Sequence, residues 1–393
     1  MKTATTARDT RLDLIRLVAF ILLVGCHACD PFNAAATYGS GVANPEFTRW
    51  GAVWGSLVRP CVPLFVMLTG ALLLGRKSSA EAAAVPQGIE MGSFYRRRIP
   101  RVLWPFLIWS AAYYLFPFLL GLLGYGAETV LLFFPWAETS SQTFATALER
   151  LMQLPYHFSY VACHMWYIYM LIGLYLYIPV FNAWVERASQ RQQQGFLLLW
   201  AASTFLPYFR EFVAPYHFGT CDWNQFGLFY YFSGFSGYLL LGHYLYRHVR
   251  LSLLPSVLIA LPLFAAGYAV NLLGYRHILT LAAPTPQQVE LFWTHCTPNV
   301  LAMTFALFIL LFQIRLRHPL AVRLLSSLTC CGFGIYMIHY FFVGPIFQWV
   351  AGWCAPISLR IPVATFLILP LSWAVVALLR RLSGKRLSRI ILG

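Results

Sequence analysis

Acidic residues are scarce in this chain. Asp and Glu together number 13 among 393 residues, and the four charged types make up only 10%. A water-soluble domain carries about a quarter of its residues charged. A chain that is 59% hydrophobic with a mean hydropathy of +0.65 is therefore excluded from the ordinary soluble class. There is no internal repeat, no low-complexity tract and no stretch with the composition of a soluble domain. The missing repeat weighs against a secondary transporter assembled from paired halves. The cysteines, nine and so odd in number, are scattered through apolar runs and form no disulfide framework. Cys26-His27-x-Cys29 has no second Cys/His cluster at ligand spacing, so no metal site is expected from it.

What the sequence does have is apolar length. Ten runs are long enough to suggest spanning helices, at roughly 12–30, 51–75, 102–124, 165–184, 195–209, 225–246, 253–274, 298–314, 330–353 and 361–380. The fifth and eighth are the shortest. The expected fold is thus all-α, a polytopic membrane protein of about ten transmembrane helices. The first run has a basic start, but nine runs follow it and no small-residue cleavage site ends it, so it reads as a retained helix.

The net charge of +15 has a positional explanation. If ten helices alternate, 21 of the 28 Lys and Arg fall on one side, and only Arg49, Arg150, Arg210, Arg276 and Arg360 fall on the other. Basic loops stay in the cytoplasm. Both termini are therefore expected there, the bilayer is the partner of the charge, and no nucleic acid is needed to account for it. Cys29, Cys163, Cys221, Cys296 and Cys354 lie at or near the opposite side, where a bridge could form, but no pairing is readable. Between runs, Ser78–Gly92 reads as a cytoplasmic loop and the stretch near Thr143–Leu154 as a short helix.

Ionisable residues within spans are costly and by default mark function. Arg16 and His27 lie eleven residues apart, so they share a helical face about 16 Å apart along the axis. Asp13, one turn before Arg16, can pair with it. The plain alternative is a snorkelling Arg and a hydrogen-bonded core His. Arg59 stands among Pro60 and Pro63, where it either donates to carbonyls freed by the prolines or faces substrate. Arg96-Arg97-Arg98 and Arg101 read as a positive-inside anchor, yet Arg98 and Arg101 share one face and suit a phosphate-bearing ligand. His164 and Trp166 open the fourth run, either as part of an aromatic belt or as a substrate surface. His339 lies within the ninth, either packed or in a polar cavity.

Five segments resemble the membrane acyltransferase-3 family. Arg11–Ala19 with His27 is similar to its first helix, in which a basic residue and a His are separated by ten residues, as Arg16 and His27 are. Pro63–Gly70 resembles its second-helix motif, with Thr69 where Ser is commoner. Phe94–Pro105, His164–Tyr169 and Gly334–His339 resemble the openings of the third and fourth helices and the motif of the ninth. The His164–Leu174 stretch looks closest to the branch that O-acetylates enterobacterial common antigen.

The resemblance implies a single acyltransferase-3-like transmembrane domain over 1–393 with no fused soluble domain, multi-pass in a bacterial inner membrane. It implies an O-acyltransferase that takes an acyl group, usually acetyl, from acetyl-CoA as donor. The acceptor is a hydroxyl of a cell-surface or lipid-linked glycan, and no metal takes part. On that reading His27 is the base or a transient acyl carrier, with Arg16 and His339 as catalytic partners. Arg98 and Arg101 contact CoA phosphates, and Arg59, His164 and Trp166 line the acceptor site. Two other classes compete: a transporter or flippase for a glycan or small acid without acyl transfer, and a structural or sensor protein without turnover. Only the enzyme releases free CoA, and only the last tolerates replacement of Arg16 and His27. Oligomeric state is not legible.

Overall fold

A computed structural model of the protein describes residues 8–33, 45–75, 89–137, 142–212, 230–281 and 284–393. The protein is all-α, and no strand occurs among the described residues. Its helices are α1 (Thr10–Ala28), α2 (Pro45–Leu57), α3 (Cys61–Leu73), α4 (Met91–Leu122), α5 (Ala127–Phe133), α6 (Phe144–Gln153), α7 (Trp166–Arg187) and α8 (Gln190–Ser203). They continue as α9 (Ser236–His248), α10 (Leu253–Ile278), α11 (Pro298–Leu311), α12 (Pro319–Ile338), α13 (Tyr340–Trp353), α14 (Ile357–Leu382) and α15 (Gly384–Leu392), with short helical turns between some of them.

Among the described residues, eight helical segments are long and apolar enough to cross a membrane, where the runs suggested ten. The run at 195–209 is carried by α8, 14 residues long, and the run at 225–246 by α9, 13 residues long, with its start outside the described residues. Both are shorter than the roughly 20 residues a bilayer needs. The run at 330–353 is covered by α12, which starts earlier, at Pro319, and so takes in Arg323, and by α13; they join at His339, whose backbone stays helical (φ −56°, ψ −31°). The expected helix near Thr143–Leu154 is α6, with the Thr143 hydroxyl accepting from the Thr146 amide. Ser78–Gly88 and Cys221 lie outside the described residues.

The chain forms two compact units, each assembled from separate segments. One comprises 1–20, 59–75 and 188–330. In it α3 and α9 cross at backbone contact. A Cβ on Gly70 would lie 1.9 Å from the Leu239 carbonyl oxygen, and one on Gly242 would lie 2.0 Å from that of Met67. Small residues permit such close crossings in lipid, where packing rather than the hydrophobic effect holds helices together. Arg16 pairs with Asp13 here, Nη1 to Oδ1 at 3.2 Å, as the one-turn spacing predicts, and Arg8 also donates to that carboxylate.

The other unit comprises 21–58, 76–187 and 331–393. Its centre is aromatic. Tyr113 of α4 stacks on Phe341 of α13 with ring centroids 4.0 Å apart, and its hydroxyl donates to the Met337 carbonyl at 2.8 Å. The amphipathic α15 closes against α4, where the Trp109 indole donates to the Ile391 carbonyl at 2.9 Å. Large apolar side chains such as Leu119, Val180, Phe366 and Leu378 are exposed on this unit's spans, as a lipid-facing surface requires.

Candidate active site

The second unit gathers three imidazoles from three distant parts of the chain. The first, His27, is in the last turn of α1. A turn at Cys29 follows, and Asp30 begins the next helical stretch three residues on. That spacing brings the Asp30 carboxylate back onto the ring, with His27 Nδ1 2.9 Å from Asp30 Oδ2. Asp30 is only 7% exposed. A carboxylate so buried needs a donor, and the His27 Nδ1–H supplies one. This fixes the tautomer and turns the ring.

His164 comes from an irregular connection. Ser159 caps the 3₁₀ turn Tyr160–Met165, and its amide is tied to the Tyr114 hydroxyl at 3.1 Å. Inside the turn Ala162 leaves helical geometry (φ −131°, ψ 49°), and Cys163 and His164 follow it directly. His339 comes from the junction between α12 and α13; its Nδ1 donates to the Tyr336 carbonyl at 2.8 Å.

The rings are mutually close. The His27 centroid is 6.0 Å from that of His164 and 5.3 Å from that of His339, and the latter two are 5.2 Å apart. Tyr340 packs edge-on to His27 at 5.1 Å and tilted to His164 at 4.9 Å. Tyr113 packs on His164 at 5.1 Å, and the Tyr336 hydroxyl donates to the His164 carbonyl.

Two features mark the cluster as more than packing. His164 and His339 are essentially buried, yet among the described residues neither ring nitrogen of His164 nor Nε2 of His339 has a hydrogen-bond partner. Most buried polar atoms are bonded, and exceptions of this kind call for an explanation. Second, His27, Asp30 and Cys163 each place a ligand atom within 4.8 Å of the others, a spacing that could hold a metal ion. The cysteine beside His27 is thus Cys163, which sequence reading noted only as a possible bridge-former, rather than a member of Cys26-His27-x-Cys29. Cys163, Cys296 and Cys354 are thiols.

The remaining expected residues are placed as follows. Arg16, paired with Asp13, belongs to the first unit, as does Arg59. The Arg59 guanidinium is 8% exposed, stacks 4.0 Å over the Trp293 ring and lies 4.0 Å from Glu290. Its backbone carbonyl sits 3.2 Å from His295 Nδ1. The break it was expected to mark is present between Leu57 and Cys61. Trp166 opens α7, half-buried, beside Tyr167.

Arg98 and Arg101 share the unit of the imidazoles. They lie in the opening turns of α4, Arg98 half-buried and Arg101 exposed. Glu90 caps that helix, accepting from the Gly92 and Ser93 amides, and hydrogen bonds from Ser93 hold its carboxyl below the usual range. Arg97 is tied back to Ser93 by two hydrogen bonds. Counting residues along the single helix α4, Arg98 and Arg101 stand about 18–22 Å from Tyr113, which touches His164.

Sequence reading missed Asp30, Cys163, Tyr113 and Tyr340. For Asp30 the signal was its position three residues after His27. For the others only tertiary structure brings them in.

Residues 9–378 match a family model described as an acyltransferase domain, almost the whole chain. No curated protein and no solved structure matches it with significance.

Proposed function

This chain belongs to that acyltransferase family and is a multi-pass membrane acyltransferase, and from that premise we propose that it transfers an acetyl group from acetyl-CoA to a hydroxyl of a cell-surface or lipid-linked glycan. The observation that carries the proposal is the imidazole cluster: a His–Asp pair beside two further buried histidines with unbonded ring nitrogens. A hydroxyl attacks a thioester only if something takes its proton, and an imidazole oriented by a carboxylate does so near neutral pH.

In this reading the His27 imidazole, held by Asp30, takes the acceptor's proton as the oxygen attacks the thioester carbonyl. The proton then passes to the departing CoA thiolate. A neutral imidazole always has one N–H and one lone pair. The His164 ring and Nε2 of His339, which have no hydrogen-bond partner among the described residues, would bind sugar hydroxyls or the developing oxyanion. Arg98 and Arg101 take the CoA phosphates bidentately. Their distance from the cluster suits a long extended arm such as pantetheine, which carries the thioester toward the rings. Arg16, Arg59 and Trp166 keep supporting roles in donor or acceptor binding. Within the glycan class, the His164–Leu174 stretch favours an acceptor of the enterobacterial common antigen type.

CoA is a cytoplasmic donor, and the distribution of basic residues supports a reading in which both termini and the start of α4 face the cytoplasm across a bacterial inner membrane. Reporters fused after Thr143 and after Ser189 should report opposite sides; the same side for both would overturn this topology. The activity is tested by incubating the purified protein with acetyl-CoA and glycan fractions and measuring free thiol. The expected outcome is acceptor-dependent CoA release with acetyl ester appearing on the glycan. No release with any glycan, alongside glycan movement across vesicles, would favour a flippase instead.

A further inference from the structure

Resting on the acyl-transfer reading, we propose that Cys163 is a covalent way-station: the acetyl group passes from CoA to its Sγ before it reaches the glycan. The direct mechanism needs only His27 and Asp30, yet the cluster holds more. Cys163 Sγ, a His27 ring nitrogen and an Asp30 carboxylate oxygen lie within 4.8 Å of one another. The Tyr340 hydroxyl accepts from Sγ at 3.1 Å. Nucleophile beside base, and base oriented by carboxylate, is the arrangement that activates a thiol for acyl transfer. Cys163 as a residue is half-buried. The irregular turn at Ala162 places it next to His164 in the chain.

The steps balance without any other reactant. His27 takes the Cys163 thiol proton. The thiolate attacks the acetyl-CoA carbonyl, the C–S bond to CoA breaks, and the proton goes to the CoA thiolate. The products are free CoA and S-acetyl-Cys163, one thioester exchanged for another. The glycan hydroxyl then attacks S-acetyl-Cys163, losing its proton to an imidazole, and Cys163 leaves as thiolate and is reprotonated. Two half-reactions also give a use to the surplus base. Nε2 of His339 is buried and unbonded, 5.3 Å between centroids from His27, and is available to the hydroxyl. The chemical gain is that CoA departs before the glycan enters, so one cavity need not hold both.

The test uses the full-length protein in nanodiscs, radiolabelled acetyl-CoA and no acceptor. Wild type should release a burst of about one CoA per protein and retain the label after acid quench, as covalent catalysis predicts. Neutral hydroxylamine should remove the label, and peptide mass spectrometry should place it on Cys163. Cys163→Ala and Cys163→Ser should both lose burst and label, and acceptor-dependent turnover should fall by on the order of 10² or more. Two variants of different size guard against a folding defect, which matched elution profiles would confirm.

The relay is overturned if wild type turns over with glycan while Cys163→Ala keeps its rate within about twofold. It is equally overturned if the label sits on His27, or if a chelator abolishes activity, zinc restores it and Cys163 stays unlabelled. A wild type releasing no CoA with or without acceptor overturns the acyl-transfer reading instead.

Discussion

Each of the two units buries a polar cluster, and the clusters differ in how they are completed. In the first unit Asn299 donates to the Asn271 side chain and to the Phe292 carbonyl at 2.8 Å, and accepts from the Tyr208 hydroxyl. Asn271 in turn donates to Met303 Sδ at 3.3 Å. Groups are answered by groups within the unit, which is how buried polar residues support a fold. In the second unit the His27–Asp30 pair is answered, but His164 and Nε2 of His339 are not. A buried ring nitrogen without a partner costs stability. Among the described residues of the first unit one ring nitrogen, His243 Nδ1, is similarly placed, but that ring packs against another imidazole, His248, at 6.1 Å between centroids, with no carboxylate or thiol paired to it in the way Asp30 and Cys163 stand by His27.

The contrast can be broken experimentally. The largest effect is expected at His27. His27→Ala should lower acetyl transfer by about 10²–10⁴ while insertion and abundance stay near normal, measured as glycan acetylation at matched protein levels. Near-normal activity would put both clusters in the same structural class. Asp30→Asn comes next. It keeps the hydrogen bond but offers the wrong tautomer, so kcat should fall with little change in KM for acetyl-CoA; an equal change in both would show donor binding instead.

Arg98→Gln with Arg101→Gln should raise the acetyl-CoA dissociation constant roughly tenfold or more and flatten its salt dependence, as for lost charge-assisted hydrogen bonds. Unchanged affinity in a folded double variant leaves them as membrane-sidedness signals only. The smallest effect on rate is expected in the other cluster. Asn271→Ala should destabilise by about 1–3 kcal/mol, because it removes one of the buried Asn299 amide's acceptors, while kcat is unmoved. A fall in kcat as large as that of the Asp30 variant would erase the distinction.

These differences were only partly legible in the sequence. The membrane class and the helical fold follow from apolar length alone, and the one-turn spacing of Asp13 and Arg16 predicted their ion pair correctly. The helix count is less legible, because hydropathy measures apolarity and not continuity. Among the described residues eight segments have spanning length; α8 and α9 are apolar but shorter, and the start of the run at 225–246 lies outside the described residues. In the apolar stretch 330–353, α12 and α13 join at His339, whose backbone stays helical. His27, His164 and His339 were each singled out, but at separations of over a hundred residues no periodicity shows that they converge. Asp30 was readable by its i+3 spacing from His27. Cys163 was not, since its thiol acquires meaning only from the ring beside it.

The central claim is that His27 moves a proton rather than filling space, and His27→Gln tests it most directly. Glutamine reaches a similar distance and can still hydrogen-bond to Asp30, but it cannot take a proton at neutral pH. Acetyl transfer from acetyl-CoA to glycan should be nearly as low in His27→Gln as in His27→Ala at matched protein levels. Substantial recovery of transfer in His27→Gln over His27→Ala would contradict the account and return His27 to the packing of its unit.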